Sequence, residues 1–281
     1  MTPKRYILSA GFVLSTLVSA YFVAGTGAQQ AARPAPAADL EYQVGAILYQ
    51  QKSAEYRALA YQAYNLARWQ LDADFDKKNL KTLPKAEQRM PRAIVVDIDE
   101  TVLDNSPANA LGAKSDVPFN VKDWYAWGEM RKAKPVPGAV EFLNYAVSKG
   151  VKIFYISNRD EIQKKATIDN LRSVGFTDVA DDNVQLRQSE STKEPRRGAV
   201  AAKYRVVMLI GDNLDDFSGV FERRSVMERF TAADTFRSAW GKRFIVLPNP
   251  MYGTWESAIY GYERLTEAEK AQRRAAALEL P

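Results

Sequence analysis

The 281-residue chain contains no histidine and no cysteine. This removes whole mechanisms before any motif is read: a histidine or cysteine phosphatase, a Ser-His-Asp hydrolase, a Cys/His zinc site and any disulfide. Its formal charge is +5, of which Lys4 and Arg5 supply two, too small an excess to imply nucleic-acid binding, so carboxylate chemistry with a hard cation stays open.

Lys4 and Arg5 precede an apolar run at 6–18, and small residues follow at Ser19, Ala20, Ala24, Gly25 and Ala28. The pattern predicts a secretory signal peptide over 1–28, cut after Ala28 in preference to Ala20 or Ala24, and a flexible leader over 29–38. An uncleaved anchor over 6–24, nearly long enough to cross a bilayer, is the alternative reading; no cysteine is there to carry a lipid. The expected location is periplasmic or secreted, with no stable membrane insertion once the signal is removed.

Residues 39–92 read as a helical segment. One or two helices run from Asp39, a candidate N-cap, to about Lys78, with Leu59, Ala63, Leu66 and Ala67 at helical spacing, and a Lys/Pro-rich stretch follows at 81–92. The aromatics Tyr42, Tyr49, Tyr56, Tyr61, Tyr64 and Trp69 read as packing or interface residues before ligand contacts.

From residue 93 the pattern alternates. Strands are expected at 93–98, 151–157, 184–186, 206–211 and 244–247, and helices at 138–149, 161–174, 194–203 and 214–222. This order predicts an α/β, Rossmann-like fold with a mostly parallel sheet and helices on both faces, occupying 93–262, before a helical tail at 263–281. In such folds the ligand lies beyond the carboxyl ends of the strands, where Asp97, Ser157, Lys193 and Asp212 would converge.

Each of these residues can do something a neutral neighbour could not. Asp97, ending a β-branched run, is already ionised and can attack phosphorus without a histidine, forming an acyl phosphate. Asp99 is then the proton shuttle, a role that calls for a pKa lifted by crowded carboxylates. The hydroxyl of Ser157 and the backbone N–H groups of Asn158 and Arg159 can hold a phosphate oxygen. Lys193 offers a fixed positive charge, with Lys164, Lys165 and Lys203 as rivals on spacing alone. Asp216, four residues past Asp212, would be returned to the same face by a new helix. Two carboxylates about 4 Å apart repel by roughly 4 kcal/mol at an effective dielectric near 20, so four in one cleft call for a dication. Oxygen donors alone favour magnesium, with manganese as its substitute.

These residues resemble the haloacid dehalogenase-like superfamily of phosphatases, and within it the bacterial class C acid phosphatases of the lipoprotein e type. The likeness spans about 41–262. It rests on Asp97-Ile98-Asp99-Glu100-Thr101 with Leu103-Asp104-Asn105-Ser106-Pro107, then Pro137-Gly138-Ala139-Val140-Glu141-Phe142, Ser157-Asn158-Arg159, Gly211-Asp212-Asn213-Leu214-Asp215-Asp216-Phe217, and Leu247-Pro248-Asn249 with Tyr252-Gly253.

The resemblance implies a smaller helical domain beside the core. It also implies Asp97 as nucleophile, Asp99 as acid/base, and magnesium held by the Asp97 side chain, the Asp99 carbonyl and Asp212, with Asp216 completing the set. It further implies hydrolysis of 5′-nucleotides and other phosphomonoesters at acidic pH outside the cytoplasm, and a homodimer. Trp124 and Tyr252 match two family aromatics that sandwich the substrate ring. Transfer of the phosphoryl group to an alcohol or nucleoside, and nucleotide binding without turnover, are the alternative functions; binding of a nucleic-acid polymer is not expected.

Overall fold

The computed structural model describes residues 40–281; the expected signal peptide, leader and Asp39 cap lie outside them. The first described segment forms two helices, α1 (Glu41–Lys52) and α2 (Ala54–Phe75). They break at Ser53, whose extended backbone leaves the helix while its hydroxyl accepts from Tyr56 N–H at 3.0 Å and starts α2. The stripe that α2 buries is Tyr56, Ala60, Ala63, Tyr64, Ala67 and Leu71. Leu59, placed in that stripe by spacing, faces outward instead, because the bulky phenol rings of Tyr56 and Tyr64 set the buried face. Two single turns, α3 (Lys77–Lys81) and α4 (Lys85–Arg89), carry the chain to the sheet.

The remaining elements follow in chain order: β1 (Arg92–Val96), β2 (Leu103–Asp104), α5 (Ser106–Ser115), α6 (Val121–Met130), β3 (Lys134–Pro135), α7 (Ala139–Ser148) and β4 (Lys152–Asp160). Next come α8 (Lys164–Ser173), β5 (Val184–Arg187), α9 (Glu194–Ala201), β6 (Arg205–Gly211), α10 (Val226–Thr235), β7 (Phe244–Val246), α11 (Thr254–Ile259) and α12 (Glu267–Ala276). Five strands pair in the order β5-β4-β1-β6-β7, every neighbour parallel. The pair β2 and β3 forms a separate antiparallel ribbon.

Because β1 is central and covered on both faces, its residues after Arg92 are apolar in succession rather than alternating. Ile94 and Val96 join the larger core, with Ala60, Tyr64, Ala67 and Leu71 of α2 and Phe142, Leu143 and Ala146 of α7. Ala93 and Val95 point to the other side, against Val200, Phe217 and Phe244. The helix α2 thus shares the core of the sheet. Among the described residues no helix is long and apolar enough to cross a membrane.

One expected helix is absent. Residues 214–222 form two short 3-10 turns, Leu214–Asp216 and Gly219–Phe221. Polar side chains break the helix there: Asp216 Oδ2 accepts from Asn213 N–H, and the Ser218 hydroxyl accepts from Val220 N–H. Other strands and helices agree with expectation to within a few residues at their ends, except that β4 runs on to Asp160 and 161–163 is a 3-10 turn.

Candidate active site

β1, β4 and β6 run the same way, so Asp97, Ser157 and Asp212 emerge at one edge of the sheet. Asp97 is still tied to β6, donating its N–H to Ile210 O at 2.9 Å. Past it the chain closes into a tight turn: Val102 and Leu103 N–H both bond Ile98 O at 2.9 Å, and Glu100 sits in the left-handed region at φ 55°. The buried phenol of Tyr64 anchors this turn by donating to Thr101 O at 2.6 Å.

The turn aims Asp97 at two other carboxylates. Oxygens of Asp97, Asp212 and Asp216 all lie within 4.8 Å of one another. Asp212 is fixed from two sides, Oδ1 by the Thr101 hydroxyl and Oδ2 by the Asn249 amide, each at 2.9 Å. Asp216 is held without the expected helix: its turn is pinned by Arg197 Nη1, which donates to the carbonyls of Asp215 at 2.9 Å and Asp216 at 2.8 Å. It packs so closely on Gly211 that a Cβ there would fall 2.4 Å from Asp216 Oδ2, which explains the glycine at the end of β6.

Lys193, at the start of α9, is the cation that meets this cluster. Its buried ammonium donates to Asp97 Oδ1 and, at 2.6 Å, to Asp216 Oδ1. Among the described residues no hydrogen bond is made to Asp97 Oδ2. The rivals on spacing are elsewhere: Lys164 pairs with Glu161 and Asp181, Lys165 with Asp169, and Lys203 is exposed.

Burial drives the Asp97 carboxyl well above its ordinary range; Lys193 opposes this, while Asp216, Asp212 and Asp99 add to it. Burial, then Asp216, pushes Asp212 up to about 7. Burial by itself would lower the Lys193 ammonium, but Asp216 and Asp97 outweigh it and hold it protonated.

Crowding of carboxylates raises Asp97 and Asp212, and Asp99 is among the charges that act on Asp97. The Asp99 carboxylate turns toward donors: Arg159 Nε at 2.9 Å, Arg159 Nη2 at 2.7 Å and Asn105 Nδ2 at 2.8 Å on Oδ1, and the Ser157 hydroxyl at 3.3 Å on Oδ2. Ser157 Oγ also accepts from Arg159 N–H at 3.1 Å, one of the two N–H groups read as phosphate ligands. Asn158 spends its side chain on loop structure, donating to Ser191 O at 2.8 Å and accepting from Arg196 Nη2 at 2.6 Å. Arg196 fixes the same loop through Ser157 O at 2.6 Å.

Trp124, on α6, has the Arg159 guanidinium 5.4 Å from its ring centroid. Tyr252 sits in the loop after β7, which the Asn249 amide organises by accepting from Met251 N–H at 3.0 Å. The two aromatics are thus coupled to the site separately, through the Arg159 and Asp99 pair and through the Asn249 and Asp212 pair.

Four side chains that build the site were not singled out by sequence reasoning: Thr101, Asn105, Arg159 and Asn249. Asn105 is a hub, accepting from Trp127 Nε1 at 2.8 Å and Arg159 Nη2 at 3.2 Å while donating to Asp99. Thr101, Asn105 and Arg159 lie in motifs whose aspartate or serine took the attention, and Asn249 in one whose tyrosine did; a polar residue near a strand end was the available signal.

Comparison with known proteins identifies the family and the fold. The family model described as HAD superfamily, subfamily IIIB (acid phosphatase) matches residues 13–255. The class C acid phosphatase from Bacillus anthracis superposes with a TM-score of 0.80 at 38% identity, covering 86% of this chain and 99% of that one. A crystal structure of the class C acid phosphatase from the same organism with tungstate bound gives a TM-score of 0.80 at 39% identity over the same shares. Acid phosphatase 1 of Solanum lycopersicum is 25% identical over 164 residues, 56% of this chain and 57% of that protein, so the chain spans little more than half of this relative.

Proposed function

Since the chain belongs to the acid phosphatase subfamily IIIB of the HAD superfamily, we propose that it is an exported, magnesium-dependent hydrolase of phosphomonoesters, 5′-nucleotides above all, acting through a phosphorylated Asp97. The observation that carries this reading is the meeting of Asp97, Asp212 and Asp216 where, among the described residues, Lys193 is the one cation paired with them. The tungstate-bound relative supports it, because tungstate is a tetrahedral oxyanion of phosphate's shape.

The donor set fits a hard dication: three carboxylates, no nitrogen or sulfur ligand, and more negative charge than one ammonium neutralises. Asp97, Asp212 and Asp216 would hold magnesium, with manganese as its substitute and the Asp99 carbonyl as a further ligand. When bound, the cation offsets charge on the phosphoryl oxygens.

Asp97 Oδ2 attacks phosphorus as the bond to the ester oxygen breaks, and Asp99 gives that oxygen a proton. Water then attacks the phosphorus of the aspartyl phosphate, losing a proton to Asp99, and phosphate departs with Asp97 restored. Lys193 holds Asp97 Oδ1, fixing which oxygen attacks, and lies within reach of the incoming phosphate. Arg159, Asn105 and Ser157 orient Asp99, and the backbone N–H of Asn158 serves the phosphate. Trp124 and Tyr252 stack on the leaving-group ring, which is tolerant of base identity.

The test is Asp97→Asn assayed with p-nitrophenyl phosphate and AMP in magnesium. Loss of turnover with both, together with transfer of label from [32P]-phosphoester to the unsubstituted chain but not to the variant, is expected. Ordinary turnover by Asp97→Asn would end the proposal.

A further inference from the structure

The loop that carries Tyr252 leans on the same turn as two of the three clustered carboxylates. It joins β7 to α11 over 248–254 and is held near both ends. Near its start Asn249 spends its whole amide: Nδ2 donates to Asp212 Oδ2 at 2.9 Å, while Oδ1 accepts from Met251 N–H at 3.0 Å and from Tyr252 N–H at 3.4 Å. The carboxylate needs a donor and the two N–H groups need an acceptor, so the amide fits only this way round. At its end the Thr254 hydroxyl reaches Asn213 Oδ1 and, at 3.2 Å, Asp215 Oδ1. Asn213 in turn donates its N–H to Asp216 Oδ2 at 3.0 Å. One arm therefore ends on Asp212 and the other on Asp216. Among the described residues, no hydrogen bond ties 248–254 to any other distant part of the chain.

Where the loop sits is thus set by 212–216, and that turn is where charge acts. Oxygens of Asp97, Asp212 and Asp216 lie within 4.8 Å of one another, so in the absence of a dication their repulsion pushes on the turn. Lys193 bonds Asp97 and Asp216 but, among the described residues, not Asp212. Asp212 is the member that most needs a further cation, and it is the one Asn249 grips. A shift of its carboxylate passes through one side chain to the backbone N–H of Tyr252.

We propose that Asn249 and Thr254 are positioning residues that couple the dication to the substrate ring: a cation held by Asp97, Asp212 and Asp216 sets the Tyr252 loop where it stacks on a base. Cation and ring then strengthen one another by the same factor, whichever binds first. The coupling rests on the reading of Tyr252 as a ring contact given above and goes beyond it. It makes affinity for the nucleotide depend on the metal through the protein as well as through the phosphate.

The experiment measures adenosine binding to the full chain by isothermal titration calorimetry, in magnesium and in chelator. Adenosine carries the ring and no phosphate, so it offers the cation no anion to ligate, and no turnover intervenes. Magnesium should tighten adenosine at least about fivefold, the low end of ordinary coupling between sites, and adenosine should tighten magnesium by the same ratio. In Asn249→Ala, read at saturating magnesium, the ratio should fall to near one. An asparagine that only supported the loop would weaken adenosine alike in both conditions and leave the ratio intact. Thr254→Val keeps the shape, loses the hydroxyl and touches none of the three clustered carboxylates, and it too should lower the ratio. It is the variant to read if Asn249→Ala loses its fold, seen by circular dichroism, or its magnesium. A parent ratio of one, no adenosine binding in either condition, or a ratio that survives in the variant read overturns the coupling. Hydrolysis through Asp97 is decided apart from this by the Asp97→Asn assay, so an inactive Asp97→Asn beside a parent ratio of one keeps the phosphatase and removes only the coupling.

Discussion

Arg159 and Asp99 are locked together: the guanidinium donates to one carboxylate oxygen from both Nε and Nη2, at 2.9 and 2.7 Å. The grip on Oδ1 leaves Oδ2, whose one hydrogen bond among the described residues comes from the Ser157 hydroxyl, as the oxygen that can exchange a proton. In Asp99→Asn no proton can be given, so the loss should depend on the leaving group. General acid–base catalysis contributes about 10²–10⁴-fold, and AMP hydrolysis should fall by that much. p-Nitrophenolate leaves without a proton, so this ester should give a burst of about one equivalent before slow turnover. Rapid-quench kinetics decide it, and equal loss on the two substrates without a burst removes the acid role.

Lys193 bridges Asp97 and Asp216, and its removal strands two buried carboxylates. Lys193→Met should lower kcat by about 10²–10³, the effect of losing one preorganised positive or hydrogen-bonding group at the reacting centre. The same change should lower the Tm of the metal-free protein, and magnesium should recover most of that loss because it supplies the missing charge. Differential scanning calorimetry with and without magnesium reads both quantities, and an equal Tm loss under the two conditions would show that the lysine is not part of a shared charge cluster.

pH should act on the metal-free fold through Asp212. Burial and then Asp216 push this carboxyl up from an ordinary 3.8 to about 7. Over that interval the folded chain keeps a proton that the unfolded chain has released. The stability this residue contributes is therefore complete below about 4 and lost as pH rises through 7. In chelator, Tm should fall from pH 5 to pH 8; with magnesium the fall should be smaller, so the gain from the metal grows across the window. A gain independent of pH would separate metal binding from this carboxylate.

The sheet was legible in the residues because its central strands are buried on both faces, and a run such as Ile94-Val95-Val96 has few other uses. Asp97, Asp212 and Lys193 were legible because chemistry-bearing side chains at strand and helix ends converge in a parallel sheet. The turn at 214–222 was not. Asn213, Asp216 and Ser218 satisfy backbone N–H groups with side-chain oxygens, and that competition leaves no trace in hydrophobic spacing. Arg159 and Asn249 escaped for a different reason: their partners, Asp99 and Asp212, are 60 and 37 positions away in sequence, so a position near a strand end marks them only weakly and does not name the partner.

Far from the site, Asp74 clamps the end of α2 to the sheet. It accepts from Arg92 Nε at 2.6 Å and from Arg205 Nη1 and Nη2 at 2.6 and 2.7 Å. Burial would raise this carboxyl, but the hydrogen bonds from Arg205 and Arg92 outweigh it and hold it below 3.8. Its contribution is present above that value and lost as pH falls further, the opposite sense to Asp212. Asp74→Ala should cost about 1–3 kcal/mol, less than a fully buried pair because the carboxylate is partly solvated, or roughly 2–4 °C of Tm per kcal/mol at this size. kcat at moderate temperature should be unchanged, and a variant as stable as the parent at pH 6 would show the clamp to be idle.

Trp124 and Tyr252 lie at the two ends of the hydrogen-bonded site, one over Arg159 and the other beyond Asn249. If the leaving group occupies the space between them, its ring contacts both, and stacking is worth about 1–3 kcal/mol per base. Trp124→Ala and Tyr252→Ala should then each raise KM for AMP and CMP by roughly 5- to 150-fold, the same free energy read as a ratio. A small ester such as glycerol phosphate, which has no ring to stack, should be unaffected. The Trp124 variant carries one further signature, because its ring also rests against Arg159, whose guanidinium aims Asp99. Part of its loss should therefore appear in kcat, while the Tyr252 loss should be confined to KM. A panel of purine, pyrimidine and aliphatic esters separates these outcomes, and uniform losses across all three classes would assign the two rings to packing rather than to substrate.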